Sequence, residues 1–344
     1  MAETLKESIA VTPIAGLPGS FTAPPFFERA RAGNSQPIAF GGLALSQAVT
    51  AAFHTLPPPS SSSGPDFHLF SVQGSYLGPA STDVPTTFTV QEIRTTRSMV
   101  TRLVTASQVI PPKAGSSSAP AARKVLICLL DFHRPEPAFL TYSRPPLHPG
   151  SYASPSTSKP IEEVLDSLPW DPKVYPVFKK QFELPLRMFE YRPVISSSGA
   201  QTSLGFVKVK TAQDNMEITR RTACNWIRAR GELSSYDERC AALAWIMDTT
   251  LSFLPLSLSK IPLTIARAVA SLDFSLRFFT PPPAAIEQDW MLHEQYTQHA
   301  AEGRTFSVGR MFTEAGVEIA RMSQVSILRG PEGQSVQMEG KARL

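Results

Sequence analysis

The 344-residue sequence predicts an α+β protein made of two similar halves. In each half, one Ala- or Leu-rich segment with helical spacing stops at a proline and precedes several strand-like segments. Short sequences also recur between the halves about 200 residues apart, such as Ser71–Ser75 and Ser271–Ser275. This repeated order favours internal duplication over a chance likeness of two β-rich stretches. We therefore expect two units, each with one long helix and an antiparallel sheet.

Composition excludes several classes of protein. The formal net charge of +4 is too small to suggest nucleic-acid binding, and no run of apolar residues is long enough to span a membrane. The three cysteines form no disulfide framework, which suits a reducing compartment, and the early acidic residues argue against a secretory signal. The six histidines show no metal-binding spacing, so neither a metal nor a cofactor is expected.

The first half contains a helix that follows Gly41-Gly42 and ends at Pro57-Pro58-Pro59. A Ser-rich segment, residues 60–65, then leads into alternating apolar and polar stretches. The predicted strands are His68–Leu77, Thr86–Thr95, Met99–Ser107 and Lys124–Phe132.

The second half contains a helix that Ser235 can cap, because Glu238 three residues later completes a capping box. This helix is predicted to run to about Phe253 and to stop at Leu254-Pro255. The predicted strands are Asn225–Gly231 before the helix, and Ala270–Phe279, Trp290–Gln298, Phe306–Thr313 and Val317–Leu328 after it.

A long helix wrapped by a curved antiparallel sheet is the hotdog architecture. The sequence therefore predicts a tandem (double) hotdog, with two antiparallel sheets each wrapped around a long central helix. A single unit would leave a sheet edge open, so we expect the two units to pair edge to edge and to enclose an apolar tunnel. The predicted segments are residues 1–135 for the N-terminal hotdog, 136–164 for a Pro/Ser-rich linker, 165–335 for the C-terminal hotdog and 336–344 for a flexible tail.

Five short motifs occur in order along this frame. They are Phe40-Gly41-Gly42, Asn225–Gly231, Trp245–Asp248, Ala270–Ser275 and Ile319–Gln324. With these motifs the chain resembles the type II acyl-CoA thioesterases, the double-hotdog family, over most of residues 20–135 and 220–330. The resemblance implies hydrolysis of an acyl-CoA to a free acid and CoA without a cofactor. We also expect a homo-oligomer.

The family's hydrolytic centre is an Asp, a Thr or Ser, and a Gln, which fall here on Asp248, Ser271 and Gln324. The resemblance implies that Asp248 is the general base and that Ser271 and Gln324 hold the attacking water, with no covalent acyl-enzyme. From the residues alone, Asp248 among apolar neighbours requires hydrogen-bond partners. A helix-surface Asp paired with an Arg, or outward-facing polar residues on strands, would fit the same sequence.

Further substrate-binding candidates are Gly41, Gly42 and Gln73. The helix N-terminus behind the two glycines offers backbone N–H groups, although close packing of the helix explains them equally well. The chain departs from many relatives at Leu43, Gln73 and Phe274, which suggests an unusual acyl group. The alternative function is a non-hydrolytic or accessory hotdog protein that binds an acyl thioester in a fungal-type biosynthetic pathway. The sequence contains no GxSxG elbow, so an α/β-hydrolase thioesterase is excluded, and it contains no GxGxxG or P-loop motif.

The last three residues, Ala342-Arg343-Leu344, match the permissive form of the SKL-type peroxisomal address. We therefore expect a peroxisomal location through the import receptor. The alternative is a chance match in a cytoplasmic protein.

Overall fold

The computed structural model describes residues 4–25, 37–60, 65–112, 119–148, 150–199, 203–333 and 336. Within these ranges, one antiparallel sheet contains twelve strands. The strands are β1 Thr12–Pro13, β2 Ser20–Ala23, β3 His68–Tyr76, β4 Thr86–Thr95, β5 Met99–Ile110, β6 Ala121–His133, β7 Phe189–Pro193, β8 Ala223–Ala229, β9 Ala268–Phe278, β10 Met291–Ala301, β11 Arg304–Thr313 and β12 Glu318–Arg329. The helices are α1 Leu5–Ile9, α2 Gly41–Phe53, α3 Ile161–Ser167, α4 Val174–Gln181, α5 Glu183–Met188, α6 Tyr236–Met247 and α7 Leu254–Leu258, with 3₁₀ turns at Ile218–Arg220 and Leu263–Ile265.

The strand order confirms a double hotdog. It runs β1-β2-β4-β5-β6-β3 in the first half and continues as β9-β12-β11-β10-β8-β7 in the second. The order in one half is therefore the reverse of the order in the other. The predicted edge-to-edge pairing occurs between β3 and β9, where Gly74 lies opposite Phe274. Through this pairing the two sheets form one continuous sheet.

Helices α2 and α6 are the central helices of the two halves and pack against each other. Every residue of α2 from Gly42 to Ala52 is buried, and so is every residue of α6 from Cys240 to Met247. A helix that is apolar and buried on all sides lies inside a core rather than on a surface. Ser235 and Glu238 form the predicted capping box at the start of α6.

Helix α6 ends earlier than predicted, at Met247 instead of about Phe253. Thr250 adopts a left-handed φ of 68°, and its hydroxyl donates to Oε1 of Gln295 on β10 at 2.6 Å. The chain then enters α7, in which Pro255 occupies the first turn. Proline lacks a backbone N–H that the first turn does not need, so here it begins a helix. The earlier end leaves Asp248 as the C-cap of α6.

Part of the predicted Pro/Ser-rich linker packs on the outer face of the second half. Residues 144–148 and 150–155, here called the strap, contact the buried Glu294 and Arg310. The Tyr152 hydroxyl donates to Glu294 at 2.8 Å, and Arg310 donates to the Pro145 carbonyl at 3.0 Å. Helices α3 to α5 follow the strap and lead to β7.

In the described ranges, no helix is long and apolar enough to cross a membrane. Residues Ala342, Arg343 and Leu344 lie outside those ranges, so the targeting prediction has no structural counterpart.

Candidate active site

Asp248 lies between the two central helices. It caps the C-terminus of α6 and is only 4% exposed, and its Oδ2 lies 2.9 Å from the position that a Cβ on Gly41 would occupy. The C-terminus of α6 disfavours a negative charge at this point, whereas the N-terminus of α2 favours one. The carboxylate therefore sits where the two halves meet.

Gln324 holds this carboxylate from the sheet. It is fully buried on β12, and its Nε2 donates to Oδ1 of Asp248 at 2.6 Å. Ser326, two residues along the same strand, donates its hydroxyl to Gln324 Oε1 at 3.2 Å. Because Oε1 accepts from Ser326, the amide is oriented with its NH₂ group towards Asp248.

Ser271 lies on the neighbouring strand, directly opposite Ser326. The register shifts beside it, because Asp273 pairs with Val325 while Ser271 pairs with Ser326, which leaves Leu272 as an extra residue on β9. Such bulges redirect side chains next to functional sites. Ser271 is therefore on the same sheet face as Gln324, with Ser326 beside both. Among the described residues, its hydroxyl makes no hydrogen bond with Asp248 or Gln324.

The two glycines at the start of α2 make room for this arrangement. A Cβ on Gly41 would lie 2.9 Å from Asp248 Oδ2 and from the ring of Tyr76. A Cβ on Gly42 would lie 2.5 Å from the Phe40 ring and 2.6 Å from the Trp245 carbonyl oxygen. Gly41 thus gives access to the carboxylate, and Gly42 allows α2 and α6 to approach closely.

Tyr76 and the neighbouring Phe274 complete the site, and the sequence analysis did not identify Tyr76. The Tyr76 hydroxyl is buried and has no hydrogen-bond partner of good geometry in the described part of the chain. Its ring packs against Phe274, with centroids 5.3 Å apart. Phe274 and Tyr76 therefore form an aromatic wall on this side of the site.

Burial raises the pKa of Asp248 to about 7. The Gln324 hydrogen bond opposes this rise most strongly, and the nearby Tyr76 hydroxyl and Gly42 backbone N–H oppose it further. Burial, followed by the charge of Asp248, raises the pKa of Tyr76, which therefore stays neutral. A carboxylate with a pKa near neutrality can accept a proton from water and release it again.

Gln73 does not join this site. Its side chain is exposed, and its Nε2 lies 3.5 Å from the Ser71 hydroxyl. Along β3, residues 71 and 73 face away from the central helices, whereas Val72 is fully buried and Tyr76 faces Asp248. Its position on the outer face gives no support to the prediction that Gln73 binds substrate.

The two halves also meet at a second place, between the end of α2 and the start of α6. Aromatic rings fill this junction. Phe53 packs edge-on against Phe132 at 5.0 Å and against Tyr236 at 5.9 Å, and His68 stacks on Tyr236 at 4.7 Å. One junction between the halves thus holds the Asp248 carboxylate, whereas the other is packed with aromatic rings.

A cavity of about 950 Å³, including its open mouth, lies next to the site, although Asp248, Gln324 and Ser271 are not among the residues that line it. Phe40 and Thr249, the neighbours of Gly41 and Asp248 in the chain, line it at the site, and apolar residues of α3 to α5 line its far wall. The arrangement offers one buried base, side chains that can hold a water molecule and an adjoining apolar chamber.

Comparison with known proteins agrees with this description. The N-terminal domain of the acyl-CoA thioesterases matches residues 29–123, and their C-terminal domain matches residues 180–328. The chain is 26% identical to mouse acyl-coenzyme A thioesterase 8 over 300 residues, which cover 84% of this chain and 80% of the mouse protein.

Solved structures show the same fold at low sequence identity. An acyl-CoA thioesterase II from Mycobacterium marinum superposes with a TM-score of 0.62 at 20% identity, covering 96% of this chain and 100% of that one. A hot dog fold protein from Alicyclobacillus acidocaldarius gives a TM-score of 0.60 at 16% identity, covering 95% and 98%.

Proposed function

Because this chain belongs to the acyl-CoA thioesterases and has both of their domains in order, we propose that it hydrolyses acyl-CoA thioesters with Asp248 as the general base. The observation that carries the proposal is the buried Asp248–Gln324 pair, whose chain neighbour Thr249 lines a largely apolar cavity.

The acyl chain lies in the cavity, which places the thioester carbonyl beside Asp248. Asp248 takes a proton from water while the water oxygen attacks the carbonyl carbon. Gln324 and Ser271 position that water, and the backbone N–H groups at the start of α2 stabilise negative charge on the carbonyl oxygen. The C–S bond then breaks, and the proton held by Asp248 passes to the departing CoA sulfur. The products are a free acid and CoA.

Release of free thiol from a panel of acyl-CoAs of different length tests this function, with mass spectrometry of the acid as a second readout. We expect turnover of at least one member and formation of the matching free acid. Tight binding without turnover of any acyl-CoA would favour the accessory, non-hydrolytic function instead.

Location and assembly are further parts of the proposal. The tripeptide Ala342-Arg343-Leu344 supports import into peroxisomes by the receptor that reads such addresses. A fluorescent fusion at the N-terminus should enter peroxisomes and should stay in the cytosol without Leu344. A diffuse full-length fusion would contradict the address. We also propose a role in lipid metabolism, which metabolite analysis of a deletion strain tests. Sedimentation of the purified protein tests the proposed assembly into a homo-oligomer.

A further inference from the structure

The inner face of the second-half sheet carries polar side chains inside the otherwise apolar cavity. Asn225 on β8 lies directly opposite His293 on β10, so both side chains are on one face, and Gln295 follows two residues later. All three line the cavity, whereas the wall opposite them contains Val164, Leu165, Phe178, Phe182 and Leu186. A sheet face that holds an acyl chain needs no such polar groups.

His293 stands out within this group. It is 2% exposed, and its Nε2 has no hydrogen-bond partner among the described residues. Leaving a buried nitrogen unpaired is unfavourable, because the atom loses its hydrogen bond to water and gains none in the protein. Gln295, in contrast, accepts from the Thr250 hydroxyl and donates to the Thr249 carbonyl at 2.7 Å. Gln295 therefore has a structural role, while His293 has an unused hydrogen-bonding atom.

The surroundings of His293 keep space at this nitrogen. Gly309 lies beside it, and a Cβ there would be 3.1 Å from Nε2. Burial lowers the pKa of His293 to about 3, so the imidazole is neutral and offers one donor and one acceptor nitrogen. No lysine or arginine occurs among the described residues that line the cavity, so nothing there would neutralise a charged group.

A second unpaired group lines the same cavity. The Ser203 hydroxyl is buried without a partner among the described residues, and the backbone there has a left-handed φ of 43°. Two unpaired polar atoms in one apolar chamber indicate a ligand that brings its own polar atom.

We propose that the preferred acyl group carries an uncharged oxygen function, a hydroxyl or carbonyl, that hydrogen-bonds to Nε2 of His293 inside the cavity. This inference rests on the proposed function, because it assigns the substrate class of the same site. It makes His293 a specificity-determining residue with no part in the chemical step.

The test uses acyl-CoAs of one chain length, either unsubstituted or with a single hydroxyl moved along the chain. We expect the wild-type protein to prefer one hydroxylated member by at least about 10-fold in kcat/KM. His293→Leu should lower kcat/KM for that member about 10- to 100-fold and leave the unsubstituted acyl-CoA within about threefold. His299→Leu, an exposed histidine on the same strand, is the matched control and should change neither.

Absence of any preference in the wild-type protein, or an equal loss on both substrates in His293→Leu, would overturn the proposal. If His293→Leu does not fold, Gly309→Ala replaces it, because its methyl group would occupy the space beside Nε2 and should also remove the preference.

If the wild-type protein cleaves no acyl-CoA, the proposed function fails. The proposed hydrogen bond to His293 can still be tested, by calorimetric binding of the same panel. Tighter binding of a hydroxylated member, lost in His293→Leu, would support the pocket assignment. Equal binding of all members would overturn it.

Discussion

Gln324 and Asp248 are 76 residues apart in the chain, yet Nε2 of the first lies 2.6 Å from Oδ1 of the second. The contact joins the sheet of the second half to the C-terminus of its central helix. It fixes the carboxylate towards Gly41 and Tyr76, which belong to the first half. The site therefore needs both halves, and this dependence gives specific expectations.

Gln324→Ala should lower turnover at least about 10-fold, because the carboxylate loses the group that orients it. The midpoint of the pH dependence of kcat/KM should also move to higher pH, since the Gln324 hydrogen bond lowers the pKa of Asp248. Gln73→Ala is the matched control, because that side chain is exposed on the outer face. If Gln73→Ala loses activity while Gln324→Ala keeps wild-type turnover, our assignment of the two residues would be reversed.

Ser271→Ala should reduce turnover without accumulating an intermediate, because we assign Ser271 to holding water. Intact-mass analysis of wild-type protein quenched during turnover should show no acyl adduct. Ser275→Ala, on the outer face of the same strand, should retain wild-type turnover. An adduct on Ser271 would replace the direct attack of water with covalent catalysis.

Gly41→Ala should lower kcat at least about 10-fold while the protein remains folded, because the new methyl group would contact Asp248 Oδ2 and the Tyr76 ring. Gly78→Ala is the control, since a Cβ there meets no atom closer than 3.6 Å. Equal activity of Gly41→Ala and wild type would show that space beside the carboxylate is not needed.

The pH dependence of kcat/KM should report the Asp248 carboxylate. Its pKa of about 7 predicts activity that rises with pH through neutrality and then levels off, because only the charged form accepts a proton. A midpoint near 4, the ordinary range of a carboxyl group, would mean that this buried carboxylate does not control the rate.

The stability of the folded protein should fall with rising pH over the range in which activity rises. The raised pKa of Asp248 means that the folded protein holds this proton more tightly than the unfolded chain, so its stability falls as pH rises from about 4 to about 7. Asp248→Asn lacks this ionisation, so its Tm relative to wild type should increase over the same interval and stay constant above it. Thermal melts of both proteins from pH 4 to pH 9 measure this difference in Tm. A difference that stays constant over the whole range would contradict the raised pKa of Asp248.

The sequence predicted those parts of the fold that depend on local periodicity. The alternating strands and the apolar helices occur where expected, because apolar spacing and proline stops act locally. The end of α6 was predicted too late, since Thr250 bonds to Gln295, a contact 45 residues away. The contacts of the strap with Glu294 and Arg310 leave no periodic signal in the sequence.

The site could be predicted only in part. Resemblance supplied Asp248 and Gln324, which the structure brings together. Tyr76 was missed because its nearness to Asp248 arises from packing between the halves, and a tyrosine in a strand is ordinarily a core residue. Gln73 stays a substrate-binding prediction, but it lies on the outer face of β3, which the alternation of Val72 and Tyr76 along that strand could have indicated.

The most direct test of the central claim is kcat of Asp248→Asn on the best acyl-CoA at pH 8, beside Asp273→Asn, an exposed acidic residue on β9. With circular dichroism showing that both variants are folded, we expect Asp248→Asn to lose at least about 100-fold in kcat and Asp273→Asn to match wild type. Turnover of Asp248→Asn close to that of wild type would show that another group activates the water and would contradict the account.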